Sequence, residues 1–189
     1  MAADYYKTSE SVAEYIQLAK EVNGGALIEK LKTYLLPGSK LLEIGSGPGT
    51  DWYMLSIVYE VVGSDNSSAF LAHLNKTHPA GKFLLLDAIT LETSDHFDGL
   101  YANKVLHHLK DDELTAAIRR QHDMLKPGGI ICHSFWKGEG DEVFKGLFVN
   151  YHTAETLRRY FEAHFEILLL EPYAEFEADD SLLLIGKRK

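Results

Sequence analysis

The sequence predicts an α/β fold: a doubly wound, seven-stranded, mostly parallel sheet whose last strand runs antiparallel, with helices added at the N-terminus. Three observations predict it. Short apolar runs alternate with helix-period segments from residue 40 onward, which calls for a mainly parallel sheet covered on both faces. A glycine-rich turn, Gly45-Ser-Gly-Pro-Gly49, joins the first of these runs to the first helical segment. The last two apolar runs have no helix between them, only Glu171-Pro-Tyr-Ala-Glu-Phe-Glu-Ala-Asp-Asp180, and so short a connection requires antiparallel pairing.

Each element has a local cause. Ser11-x-x-Glu14 has the form of a capping box, and Val12, Tyr15, Ile16 and Ala19 then share one helical face. Asn23-Gly24-Gly25 ends that helix. A second apolar stripe on Leu27, Ile28, Leu31, Tyr34 and Leu35 is closed by Pro37-Gly38. Strands are expected near 40–45, 59–64, 82–87, 97–102, 130–135, 165–171 and 181–187. Helices are expected near 50–57, 67–76, 111–125 and 153–163, the third opened by the carboxylates of Asp111, Asp112 and Glu113 at its positive end. The whole, residues 1–189, is expected to be one domain, with a helical cap over 1–38 and an α/β core over 39–189.

Composition narrows the function. A net charge of −9 argues against a dedicated nucleic-acid binder, which needs a concentrated basic surface. Arg119-Arg120, Arg158-Arg159 and the tail Lys187-Arg188-Lys189 are short basic groups suited to solvated faces and a chain end. The single cysteine, Cys132, lies in an apolar run and is expected to be a buried thiol in a reducing compartment. With no apolar signal core at the start and no run of membrane-spanning length, a cytoplasmic protein without a membrane partner is expected.

The chemistry centres on Lys40-Leu-Leu-Glu-Ile-Gly-Ser-Gly-Pro-Gly-Thr50. Glycines there permit a tight strand-to-helix turn and let a ligand approach the backbone, while the N–H groups opening the helix favour an anionic group. A carboxylate at the end of the next apolar run, Asp65, lies at about the spacing that reaches a ribose hydroxyl. The dinucleotide fingerprint wants its third glycine one place later, where this chain has Thr50.

The spacing Glu-x-Gly-x-Gly-x-Gly resembles that of the class I S-adenosylmethionine (SAM)-dependent methyltransferases, which have a Rossmann-like fold. Later segments extend the resemblance in order: Leu84-Leu-Leu-Asp-Ala88, Phe97-Asp-Gly-Leu-Tyr-Ala-Asn-Lys-Val-Leu-His-His-Leu109 and Leu125-Lys-Pro-Gly-Gly-Ile130. It covers roughly residues 40 to 189 and implies SAM as cofactor. Having no inserted domain, the chain is similar to the small stand-alone members that act on metabolites. The Asn/Asp-Pro-Pro-aromatic signature of members that methylate amino groups of nucleic acids and proteins is absent, its place taken by Asn103-Lys-Val-Leu106.

The resemblance implies roles for particular residues. Glu43 orients the methionine end of the cofactor; a buried carboxylate capping its own loop is the alternative. Gly45, Ser46 and Gly47 allow close backbone approach. Asp65 accepts the ribose hydroxyls with Asn66 beside the adenine, unless the pair only forms a turn. Asp87 accepts the adenine amino group, Ala88 packs on the ring, and Asn103 meets the methionine carboxylate or amine.

His107 and His108 are the candidate catalytic residues, for binding substrate or taking its proton; the pair also suits a plain helix start. A metal centre from these two with Asp111 and Asp112 matches no established spacing, so no metal is expected. Tyr6, Trp136 and Tyr151 are candidate walls of a substrate chamber, although core packing accounts for each equally well. Two rival functions are a nicotinamide-dependent oxidoreductase, disfavoured by Thr50, and a non-catalytic SAM-binding or scaffold protein.

Overall fold

The computed structural model describes residues 9–18, 23–144 and 146–189. Helices α1 (Ser9–Leu18) and α2 (Gly25–Leu31) precede the alternating part of the chain. Then come β1 (Lys40–Ile44), α3 (Thr50–Ser56), β2 (Glu60–Asp65), α4 (Ser68–Thr77), β3 (Lys82–Leu85) and β4 (Phe97–Asn103). A 3-10 turn at Leu106–His108 leads into α5 (Asp111–Met124) and β5 (Leu125–Trp136). The remainder is β6 (Asp141–Phe144), β7 (Leu147–Asn150), α6 (Ala154–Phe161), β8 (Phe165–Tyr173) and β9 (Ser181–Arg188).

Seven strands form one sheet in the order β3-β2-β1-β4-β5-β9-β8. The pairs β1–β2, β1–β4, β2–β3 and β4–β5 are parallel. Strand β9 runs antiparallel between β5 and β8, with Cys132 opposite Ile185 and Leu170 opposite Leu184. The fold is therefore the doubly wound, Rossmann-like sheet with an antiparallel last strand that the pattern predicts. The chain order reverses between β1 and β4, and this is where an open α/β sheet leaves a crevice beyond its strand ends.

Side-chain alternation supplies the two cores. Leu42, Val62, Leu100, Ile131 and Leu184 pack on one face with Leu114, Ala117 and Ile118 of α5 and Leu157 and Phe161 of α6. Their chain neighbours Leu41, Val61, Tyr101, Cys132 and Leu183 pack on the other with Leu27, Ile28 and Leu31 of α2 and Trp52 and Leu55 of α3. Strands buried on both faces read as continuous apolar runs, which is why they were visible without clean alternation. Cys132 is fully buried, and burial pushes its thiol well above its ordinary range.

The departures from expectation are local. The Gly-rich stretch expected to precede the fifth strand lies within β5, which first pairs at Leu125 and shifts register between Phe97 and Gly99 before Ile130. Strand β3 stops at Leu85, leaving Asp87 and Ala88 in the turn that follows. Helix α2 stops at Leu31, although Leu35 is still buried. The hairpin β6–β7 was not expected, yet in the sequence the apolar pairs Val143-Phe144 and Leu147-Phe148 stand close on either side of Gly146, in the manner of two short strands. Among the described residues, no helix is long and apolar enough to cross a membrane.

Candidate active site

A cavity of about 390 Å³ opens beyond the carboxyl ends of β1 and β4. Of the residues expected at the site, Glu43, Gly45, Ser46, Gly47, Asn103, His107, His108 and Trp136 line it.

The glycine loop is held by β2. Ser46 N–H donates to the Ser64 carbonyl (2.8 Å), and Ser64 N–H donates back to Ser46 Oγ (3.1 Å). Asp65 accepts from Gly47 N–H at 2.9 Å and from Ser67 N–H at 2.9 Å. Burial raises the Asp65 pKa, against the opposing pull of the Ser67, Gly47 and Asn66 N–H groups. Gly47 has φ +49°, and a Cβ built there would meet no atom within 4 Å. The loop thus leaves backbone facing open space, where a ligand can lie directly against it.

The acidic end of the cavity consists of Glu43 and Asp51. Glu43 is 2 % exposed, and its Oε2 has no hydrogen-bond partner among the described residues. Burial first, and then the Asp51 charge, push its carboxyl up to about 8, partly offset by a Ser46 hydrogen bond. Asp51 accepts from Gly24 N–H (2.7 Å), Tyr101 Oη (2.7 Å) and Asn103 Nδ2 (2.9 Å). Asn103 Oδ1 in turn accepts from Ser134 Oγ at 2.5 Å. A buried, unpartnered carboxyl oxygen beside a second carboxylate is a site for a cation.

The other end is apolar. Trp136 and Phe176 stack with ring centroids 5.9 Å apart, and Phe144, Leu147 and Val149 of the β6–β7 hairpin face the same space. Lys104, at φ +54°, follows β4 between the two ends. Burial lowers its pKa to about 8, opposed by Glu175 and Asp180. His107 is almost fully buried, and desolvation, followed by His108, Lys104 and His152, holds it well below the ordinary histidine value.

Other expected residues lie elsewhere. Asp65 and Asn66, at the end of β2, do not line the cavity. Asp87 is exposed, and its carboxylate accepts from Ile89 N–H (2.7 Å) and Thr90 N–H (3.3 Å) in its own turn. Ala88 packs against the α5-side core. Tyr151 is a correction: it borders a separate pocket on the outer side of the hairpin, where its hydroxyl donates to Glu142 at 2.6 Å. Strand β7 ends at Asn150, so Tyr151 lies beyond it, where the alternation that keeps Leu147 and Val149 on the chamber side no longer fixes its direction. Tyr6 lies outside the described residues. No group of three or more potential metal ligands occurs among the described residues.

Sequence reasoning missed Asp51, Lys104 and the hairpin wall. Asp51 lies two residues after the last glycine of the turn, in the first turn of α3, and that position was its available signal.

A family profile described as a methyltransferase domain matches residues 41–129. The chain is 34% identical over 98 residues to trans-aconitate 2-methyltransferase of Variovorax paradoxus (strain S110), covering 50% of this chain and 37% of that protein. It is 30% identical over 108 residues to an uncharacterized methyltransferase of Oceanobacillus iheyensis, covering 56% and 48% respectively. The chain therefore spans less than half the length of these two curated relatives. Its fold is similar to a crystal structure of Burkholderia thailandensis 1,6-didemethyltoxoflavin-N1-methyltransferase with bound 1,6-didemethyltoxoflavin and S-adenosylhomocysteine. That match has a TM-score of 0.79 at 19% identity, covering 95% of this chain and 84% of the other. The N-methyltransferase NodS of Bradyrhizobium japonicum WM9, in complex with S-adenosylhomocysteine, matches with a TM-score of 0.74 at 15% identity, covering 98% and 99%.

Residues 41–129 match a methyltransferase domain, and the fold around them is similar to that of solved methyltransferases.

The lining of the cleft fits SAM on its own chemistry. Glu43 and Asp51 give the cavity an acidic end that an ammonium or sulfonium charge would suit, and the bare backbone at Gly47 leaves room for the chain that joins them.

Proposed function

We propose that this methyltransferase moves the methyl group of SAM onto a small, partly apolar acceptor. The observation that carries the reading is a single cavity with two chemically distinct ends. Glu43, Asp51 and the glycine loop form the cofactor end, and Trp136, Phe144, Leu147, Val149 and Phe176 form the acceptor end. The transfer is a direct displacement at a carbon already activated by positive sulfur, so the protein has mainly to align the two molecules and exclude water. Names of relatives support a small acceptor: one acts on trans-aconitate and another binds 1,6-didemethyltoxoflavin.

In this reading Glu43 and Asn103 hold the methionine end, and Gly45, Ser46 and Gly47 carry it on backbone. Asp65 takes the ribose hydroxyls, Asn66 stands beside the adenine, Asp87 takes its amino group and Ala88 supports the ring. The chain acts as a single domain, with α1 and α2 capping the core, and it works in the cytoplasm without nucleic acid; the net charge of −9 and the buried Cys132 support this.

The test is calorimetric titration with SAM, S-adenosylhomocysteine and NAD, followed by a panel of phenols, heteroaromatic amines and carboxylic acids assayed for S-adenosylhomocysteine release. Binding of SAM with turnover of a panel member supports the proposal. Binding without turnover of any acceptor, small or macromolecular, favours a SAM-binding scaffold. Salt-sensitive micromolar binding to RNA or DNA overturns the metabolite assignment.

A further inference from the structure

The turn Leu106–His108 delivers two imidazoles to the cavity with ring centroids 4.0 Å apart, and they are not equivalent. His107 is 2 % exposed, and its Nδ1 is buried without a hydrogen-bond partner. His108 is only partly buried, and its Nδ1 lies 2.7 Å from the Phe148 carbonyl oxygen. A carbonyl can only accept, so this partner assigns the proton to Nδ1, and a neutral ring then carries its lone pair on Nε2. Among the described residues no hydrogen bond reaches that Nε2. Phe148 belongs to β7, between Leu147 and Val149, which wall the cavity. Asn150 Nδ2 ties the same strand to the start of α5 by donating to Asp111 Oδ1 at 2.8 Å. The hairpin that encloses the apolar end thus also sets the tautomer of the histidine beside it.

We infer that His108 takes the acceptor's proton through Nε2, in the tautomer that the β6–β7 hairpin imposes. The inference rests on the methyl-transfer reading. In the step the acceptor atom forms a bond to the methyl carbon, and the carbon–sulfur bond breaks with its electron pair going to sulfur. The acceptor's proton passes to Nε2, so the positive charge leaves the sulfonium and appears on the imidazolium. Burial keeps the His108 ring below the ordinary histidine value, against the Phe148 hydrogen bond, and so holds it neutral and able to accept. The titratable groups around it are His107 in the same turn, Lys104 at the end of β4, Glu43, Asp51 and Glu175 in the cavity, and Asp141 and Glu142 on the hairpin. The chemistry suits an acceptor with a weakly acidic X–H bond, such as a phenolic hydroxyl. An acceptor already ionised has no need of the base.

The first measurement needs no acceptor. Nitrogen-15 NMR of the histidine-labelled protein, with His108 assigned by its loss in His108→Gln, is expected to show the Nδ1–H tautomer at neutral pH. An Nε2–H tautomer overturns the inference. The second is methyl transfer from SAM to two probes, 4-methylphenol, which stays un-ionised, and 4-nitrophenol, which is largely ionised at about pH 8. His108→Gln is expected to lower transfer to 4-methylphenol by about 100-fold and to 4-nitrophenol by less than about 5-fold, since a positioned base contributes on that scale. S-adenosylhomocysteine affinity should stay within about twofold, a difference of less than half a kcal/mol. Equal losses on both probes, or none on either, overturn it. His108→Asn serves if circular dichroism shows that the glutamine disturbs the turn. Failure of S-adenosylhomocysteine to bind the native protein refutes the cofactor reading instead, and leaves the tautomer measurement standing.

Discussion

The Lys104 ammonium stands 3.5 Å from the centre of the Trp136 ring, over its face. The same nitrogen donates to Ser181 Oγ at 2.5 Å and to the Phe135 carbonyl at 3.2 Å. Ser181 Oγ passes the chain on to Asp180, whose carboxylate accepts from the N–H groups of Glu175, Phe176 and Glu177. One lysine therefore braces two aromatic residues of the proposed acceptor wall, Trp136 directly and Phe176 through the loop between β8 and β9.

Trp136→Ala is expected to cut acceptor turnover at least about tenfold, through loss of an aromatic stack and a cation–π contact worth about 0.5–2 kcal/mol each. S-adenosylhomocysteine affinity should change by less than about threefold, because the indole faces the acceptor end. Steady-state kinetics beside calorimetry separates the two effects; a parallel loss of cofactor binding would place Trp136 at the wrong end of the cavity.

Lys104 should leave a signature in the pH dependence of stability. Its pKa is about 8 in the folded protein against an ordinary value of 10.5, so in that interval the unfolded chain binds the proton and the folded protein does not. Its contribution to stability therefore rises as pH increases from about 8 to 10.5 and is lost as pH falls back. Thermal melts of Lys104→Met should lack that component, seen as a difference from the native protein that shrinks or reverses across the window. A difference independent of pH refutes it.

Glu43 works in the opposite sense. Its carboxyl is raised to about 8 from 4.5, so its contribution to stability is complete below pH 4.5 and is lost as pH rises through about 8. Glu43→Gln should therefore gain in melting temperature relative to the native protein as pH climbs through that range. The same variant should bind SAM more weakly, since the charge that meets the cofactor's cation is gone. Binding to the native protein should release protons below about pH 8, measurable by calorimetry in buffers of different ionisation enthalpy. Proton-neutral binding would show that Glu43 only caps its own loop.

Asp65→Ala is expected to weaken SAM binding by about 1.5–3 kcal/mol, the scale of charge-assisted hydrogen bonds. The native carboxylate also holds Gly47 and Ser67 N–H groups, so some stability falls with it. Asp65→Asn keeps an acceptor for one of those groups and should recover more of the stability than of the binding. Unchanged affinity in a folded variant would reduce Asp65 to a turn residue.

Gly24 offers a test of the link between the N-terminal helices and the cavity. A Cβ there would lie 2.0 Å from Tyr101 Oη and 2.4 Å from Asp51 Oδ2. Gly24→Ala should cost about 1–3 kcal/mol in denaturant unfolding, as overpacking does, and should weaken SAM binding by displacing Asp51. Full retention of both would mean that the Asp51 cluster yields freely.

Features written in contiguous residues were legible early. The strand–glycine-turn–helix of 40–56, Asp65 at the end of the next strand and the antiparallel β8–β9 pair each follow from short-range spacing and alternation. Asp51 and Lys104 were not, because their roles depend on partners distant in the chain. Asp51 meets Gly24, Tyr101 and Asn103, which lie 27, 50 and 52 positions away. Lys104 meets Ser181, 77 positions on. The hairpin lay between the two cases: its apolar residues are too few to read as buried strands, and it pairs outside the main sheet.

The sequence by itself determined the sheet and the glycine turn that carries the methyltransferase resemblance, because a backbone-lined turn at a strand end is a local object whose geometry glycine spacing encodes. Only the tertiary structure decided which carboxylates share the cavity, which apolar side chains wall it and which of two adjacent histidines has its Nδ1 against a carbonyl. Those are properties of burial and of hydrogen-bond partners, and His107 and His108 have the same side chain one residue apart. What separates them is the carbonyl of Phe148, 40 residues on, brought to one ring and not the other by the folding of the hairpin.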